Sequence, residues 1–240
     1  MLVNSQKILL PVKRFRQFPN ECAIAAVSSL ANFYDSNIEY HIARRLLPSK
    51  VRKNGTYTPQ HASILNDLGF QNVSIISGDL DFFDFSWRRL SKKSIINKLT
   101  LVKQRYKRNN ETDNSLVAQS YIDWLSNEEY NNRIVIDCDL VKHIKRSLNS
   151  GRPVVASFNW TRLFKYTKEL TRHNSRKDIC GEAQDHAIVI RGYDNAGIFV
   201  VDSLASGHSK KHEKYKCGYY KLKWELFLVN ATNCELILLS

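Results

Sequence analysis

Apolar positions along this chain follow two periods. Over residues 22 to 34, apolar or small side chains fall at 22, 26, 29, 30 and 33, close to the 3.6 period of a helix, and Pro19 and Asn20 stand before it as start signals. Thr58 and Pro59, followed by Ala62, Leu65 and Leu68, predict a second helix, with Thr58 as N-cap and Gly69 past its end. Ile95, Leu99, Val102 and Tyr106 form a helical stripe along residues 91–108, and a further helix is expected over 115–129. Leu140, Ile144 and Leu148 predict a helix that ends at Gly151, where Pro153 blocks continuation.

Strands read differently. Residues 8–16 are expected as an opening strand and basic turn, 72–76 as a short strand, and 154–158 as a buried one. From His186 the chain is mostly β: 187–193 and 198–202 flank the turn Asp194-Asn195-Ala196-Gly197, and 219–222 and 236–239 follow, with a helical turn at 224–228. Helices concentrate before residue 150 and strands after it. The pattern is α+β, a helical half packed on an antiparallel half.

The chain has 240 residues, 43% of them hydrophobic, which suffices to bury a core and excludes a disordered protein. No run approaches the roughly 18 apolar residues of a membrane span, and the N-terminus lacks a cleavable signal pattern. A soluble, cytoplasmic protein is therefore expected, with export lacking a cleaved signal left open. The five cysteines are unclustered and odd in number, against a disulfide framework or structural zinc site; apart from Cys22 they are expected to be small buried residues. No cofactor or metal is implied.

The net charge of +13 is unevenly spread. Nine cations and no acids lie between Arg88 and Arg108, leaving +4 for the rest, so the basicity is assigned mainly to one element. A polyanion (an acidic protein, an anionic membrane surface or nucleic acid) fits such a face, although no nucleic-acid fold motif accompanies it.

Candidate chemistry lies in two distant segments. Cys22 opens the first helix, where unpaired N–H groups and the macrodipole favour a thiolate. His186 opens an apolar strand. A turn at 194–196 sets residues 202 to 205 opposite it, which brings Asp202 to the imidazole or one bulge away. Gln17, five residues before Cys22, has an amide able to donate to an oxyanion together with the Cys22 backbone N–H. Asp185 reads as a surface charge, Trp160 as core packing or a cleft wall, and His143, His208 and His212 as solvated.

These residues resemble the papain-like cysteine peptidases, and most closely the bacteriocin-processing, double-glycine-leader peptidases and their stand-alone relatives. The resemblance rests on Gln17, Cys22-Ala23-Ile24-Ala25-Ala26, Gly151-Arg152-Pro153, His186-Ala187, Gly192-Tyr193-Asp194, Val201-Asp202 and Gly218-Tyr219-Tyr220, and covers roughly residues 8–35 and 140–222. It implies Cys22 as nucleophile, His186 as general base and acid, Asp202 as its orienting residue and Gln17 as oxyanion donor. The chain departs from the family pattern in having Ala23 for Gly after the cysteine, Asp185 for Gly before the histidine, and Ser203 for Pro after the aspartate. The expectation is a single papain-like catalytic domain over 1–240, with a helical basic insertion at about 77–135, that cleaves peptide or amide bonds through an acyl-enzyme. An acyltransferase or transpeptidase on the same fold, and a non-catalytic binding module using the 88–108 helix, stay open as alternatives.

Overall fold

The computed structural model describes residues 7–47, 56–170, 175–204 and 217–239. Along the chain these form β1 (Ile8–Leu9), α1 (Cys22–Tyr34), α2 (Tyr40–Leu46), α3 (Thr58–Asp67), β2 (Val73–Ser77), a 3₁₀ turn (Phe85–Arg89), α4 (Lys92–Arg108), α5 (Thr112–Ser126), β3 (Arg133–Ile136), α6 (Leu140–Asn149), β4 (Val154–Asn159), α7 (Trp160–Phe164), β5 (Glu169–Leu170), β6 (Ser175–Arg176), β7 (Asp185–Asp194), β8 (Gly197–Val201), β9 (Tyr219–Lys223), α8 (Trp224–Asn230) and β10 (Ala231–Leu239). The class is α+β, as the periodicities predict. The opening strand is shorter than expected, Ile8–Leu9 rather than 8–12 before the basic turn.

The chain divides into two compact units. The first comprises residues 1–55 and 141–232. Its β7 is the central strand, pairing antiparallel with β4, β8 and the short β1, while β9 extends the sheet from β8. Helix α1 packs on β7 and β4, and every residue from Ala23 to Asn32 is buried. Only a run of small residues such as Ala23, Ala25, Ala26, Ser28, Ser29 and Ala31 lets a helix sink so fully against a sheet. The β7–β8 hairpin has the predicted turn, with a bulge between Ile190 and Gly192. Gly192 is required there, because a Cβ would stand 2.1 Å from the Ile8 carbonyl oxygen.

The second unit comprises residues 56–140 and 233–240. Here β2 pairs parallel with β3 and antiparallel with β10, and α4 packs against α5. The stripe on α4 is confirmed in burial of Ile95, Leu99 and Tyr106. The N-cap of α3 is Tyr57, not Thr58, because the Thr58 hydroxyl instead donates to the Glu235 carboxylate at 2.5 Å. Charge also divides otherwise than expected. The second unit holds 10 Lys/Arg against 12 Asp/Glu, and the first 26 against 11. The cations of α4 are offset within their own unit, and the net positive charge belongs to the first.

Glu235 is a carboxyl inside the second unit. It is buried and accepts hydrogen bonds from Thr58, Ser77 and Tyr121. Burial outweighs these donors and, with the nearby Asp79 charge, pushes its carboxyl up to about 7. The folded state thus holds a proton that the unfolded chain releases near pH 4.5. The stability from that proton is full below about pH 4.5 and lost as pH rises through 7. Glu235→Gln should abolish this loss, so that the variant gains up to about 3 kcal/mol over wild type between pH 5 and 8 in urea unfolding. Parallel pH profiles for the two proteins would rule the shift out.

Candidate active site

The four residues singled out in the sequence all lie in the first unit: Gln17, Cys22 and His186 line one cleft, and Asp202 is buried behind His186. Cys22 is the first residue of α1. Its N-cap, Glu21, makes no side-chain capping bond, so the first helical amides are left for other acceptors. The His186 side chain and the backbone of Ala23 and Ala187 are the groups that favour a thiolate at this sulfur. Burial alone would raise the thiol's pKa, but the imidazole's bond and charge and the two amides outweigh it and lower it from its ordinary value.

His186 lies at the start of β7, buried to 3% exposure. Its Nε2 meets Asp202 Oδ1 at 2.7 Å, leaving the other ring nitrogen for Cys22. Burial opposes the imidazolium, but the Asp202 carboxylate and the Cys22 sulfur raise its pKa to about 10. Both shifts run in the direction that favours a thiolate–imidazolium pair. The rings of Trp160 and Phe158 stand 4.8 and 5.8 Å from the imidazole and shield it from water. Trp160 serves both expected roles, since it also lines the cleft.

Asp202 is fully buried and held from several sides. Besides His186, Oδ1 accepts from the Leu204 amide at 2.8 Å, and Oδ2 accepts from the Tyr220 hydroxyl at 2.7 Å. Its backbone is clamped by Arg14, whose Nε donates to the Asp202 carbonyl at 2.6 Å and whose Nη2 donates to that of Ser203 at 3.2 Å. Gly218 is needed beside this clamp: its φ is +75°, and a Cβ would meet the Arg14 Nε at 2.2 Å.

Gln17 stands at the rim. Its amide oxygen accepts from the Ser203 hydroxyl at 2.6 Å, which leaves the NH₂ as the group free to donate. Ser203, noted in the sequence only as a departure from Pro, thereby orients Gln17. The turn before Cys22 rests on α2. The Tyr40 hydroxyl and Arg44 Nε hold the buried Glu21 carboxylate at 2.5 and 2.8 Å, and Phe18 lies between the Tyr40 ring and the Arg44 guanidinium. The cleft itself measures about 440 Å³ and is lined by Gln17, Phe18, Cys22, Trp160, Gln184 and His186, among others.

Sequence reasoning missed Arg14, Tyr220, Ser203 and the Glu21–Tyr40–Arg44 cluster as parts of this site. Tyr220 left a trace in the Gly218-Tyr219-Tyr220 block, and Ser203 as the departure from Pro after Asp202. Asp185 is exposed as expected, with its carboxylate accepting from Thr232 and Asn159. His143 is not solvated but buried in α6, and His208 and His212 lie outside the described residues. The cysteines also differ from expectation: Cys138, Cys180 and Cys217 are exposed, and Cys22 and Cys234 half-buried. Among the described residues no group of side chains is arranged to hold a metal, and no helix is long and apolar enough to cross a membrane.

The model of the Peptidase C39 like family matches residues 9–230. A solved structure of a C39-like protein from Bacillus anthracis superposes with a TM-score of 0.50 at 12% identity, covering 98% of both chains. No curated protein matches the chain by sequence.

The lowered thiol pKa has a direct readout. Iodoacetamide should modify Cys22 faster than the more exposed Cys138 at pH 6.5, with a rate that changes little up to pH 8. In His186→Ala the Cys22 rate should fall at pH 6.5 and rise with pH as for an ordinary thiol, near about 8.5. Peptide mapping of the alkylated protein checks this, and equal rates at Cys22 and Cys138 would refute the ion pair.

Proposed function

The chain belongs to the Peptidase C39 like family, whose fold is papain-like, and we propose that it is a cysteine peptidase whose nucleophile is Cys22. The observation that carries this reading is the placing of Cys22 and His186 on one cleft, with the His186 imidazole hydrogen-bonded to the buried Asp202 carboxylate at 2.7 Å. In the proposed reaction the Cys22 thiolate attacks the scissile carbonyl carbon, and the carbonyl electrons move to oxygen. The Gln17 NH₂ and the Cys22 backbone N–H receive that oxyanion. The His186 imidazolium then protonates the leaving amine, and a thioester to Cys22 remains. The neutral imidazole takes a proton from water, hydroxide equivalent adds to the thioester, and the carboxylic acid departs as the thiolate re-forms. Asp202 keeps the imidazole in the orientation that serves both transfers.

Residues 56–140 with 233–240 form a unit of their own, and we read it as an insertion into the catalytic chain. None of its nine clustered cations between Arg88 and Arg108 forms an ion pair with a described carboxylate. Lys103 is held by the Gln119 amide, and Lys98 and Arg105 lie over the Trp87 and Tyr106 rings, yet none of these contacts neutralises the positive charge offered to a polyanionic partner. Neutralising Lys92, Lys93, Lys98 and Lys103 should lower the log–log salt slope of polyanion binding by about 0.7–0.9 per lost contact and spare turnover of a small peptide.

Turnover of fluorogenic peptide libraries, with products identified by mass, tests the main reading. Cys22→Ala should abolish cleavage and His186→Ala nearly so, while Asp202→Ala should leave a remnant roughly 10²–10⁴-fold below wild type. Gln17→Ala should cost about 10²–10³-fold in kcat, and Ser203→Ala less. The alkaline limb of the pH profile should lie near pH 10, where His186 loses its proton. Added amines that divert the thioester into amide products would mark a transferase rather than a hydrolase. Cleavage retained in Cys22→Ala would rule out the covalent route.

A further inference from the structure

The second unit brings two cysteines together over a glycine. Gly78 follows β2 directly, one residue beyond Ser77, which pairs with Ile136 of β3. On the other side β10 pairs with β2 so that Leu236 faces Ile76, and continuing that register sets Cys234 across from Gly78. Strands flanking a common neighbour normally hold their side chains well apart, since each step across a sheet is about 4.8 Å. Here the central position has no side chain. A β-carbon built on Gly78 would stand 3.0 Å from the Cys234 β-carbon and 3.2 Å from that of Cys138. The two cysteine side chains therefore converge on the space that Gly78 leaves empty.

Their chemistry is asymmetric. Cys138 is exposed and open to a soluble reagent. Cys234 is half-buried, and burial together with Cys138, Asp79 and Glu235 pushes its thiol up. Its backbone is in the left-handed region, at φ 49°, as is that of Asn233 at 51°. Both cysteines also lie beside points where the chain passes between the two units, at 140/141 and at 232/233.

We propose that Cys138 and Cys234 are a redox-convertible pair that closes to an intramolecular disulfide. The Cys138 thiolate attacks one sulfur of a small disulfide such as oxidised glutathione, forming a mixed disulfide and releasing one glutathione thiolate. Cys234, as its thiolate, then attacks the Cys138 sulfur and releases the second glutathione. Two protein thiols lose two electrons and two protons, and the glutathione disulfide is reduced to two thiols. The bond ties the exit of β3 to the start of β10 and encloses residues 139–233 in a covalent loop, which includes His186 and Asp202.

Incubating the full chain with oxidised glutathione at pH 8, quenching with N-ethylmaleimide and mapping peptides tests this. The expected product is a 138–234 cross-linked peptide that dithiothreitol removes, in a protein whose melting temperature has risen. Cys234→Ser should stop the reaction at glutathionylated Cys138, and Cys138→Ser should prevent it. Gly78→Ala, which fills the shared space, should slow closure at least tenfold; circular dichroism and the Cys22 alkylation rate report whether that variant is folded. If wild type accumulates glutathionylated Cys138 without a cross-link, or both cysteines stay alkylatable, the proposal fails.

Discussion

A carboxylate with no exposure to water is what the first unit is built around. Burying the Asp202 charge is costly unless every lone pair is answered, and here each oxygen is. The answering groups come from β7 (His186), from the turn itself (Leu204) and from β9 (Tyr220). Arg14, near the start of the chain, fixes the carbonyls that hold the aspartate's backbone. Removing any of them would leave a buried charge underpaired, so elements far apart in sequence become mutually dependent. The imidazole then inherits its position and its raised pKa from the carboxylate, and the thiol its lowered one from the imidazole.

Much of this was legible because it depends on local spacing. A two-sided alternation with a four-residue turn determines which residues face each other, and the window drawn opposite His186 holds Asp202 despite the bulge at Ile190/Gly192. The start of α1 was legible from Pro19, Asn20 and a run of small residues. What escaped depends on partners that no periodicity encodes. Helix α2 has one buried residue, Ala43, and so shows no stripe; it is held by Tyr40 and Arg44 on Glu21. Arg14 resembles any other cation of a basic chain until Gly218 gives it room. Thr58 looked like a cap by sequence, yet its hydroxyl is taken by a glutamate 177 residues away.

The distribution of charge carries a similar lesson. A run of nine cations draws the eye, but its neighbours Asp79, Asp81, Asp84, Glu111 and Asp113 are dispersed enough to be overlooked. Summed by compact unit, the helix that seemed to own the protein's basicity sits in the more acidic part. The first unit, with the cleft, carries the excess, and its long-range field would draw anionic chains toward it.

The order in which these groups leave a ribosome differs from the order in which they are needed. Cys22 emerges early, while Asp202 and Tyr220 follow some 180 or more residues later. Until they arrive the imidazole has no counter-charge, and Arg14 has no carbonyls to grip. The thiol of a chain still lacking them is therefore without the imidazolium that lowers its pKa. The lowered thiol pKa arrives only once Asp202 and Tyr220 have emerged, so the grip of Arg14 on the Asp202 and Ser203 carbonyls acts as a safeguard in time as well as a brace in space.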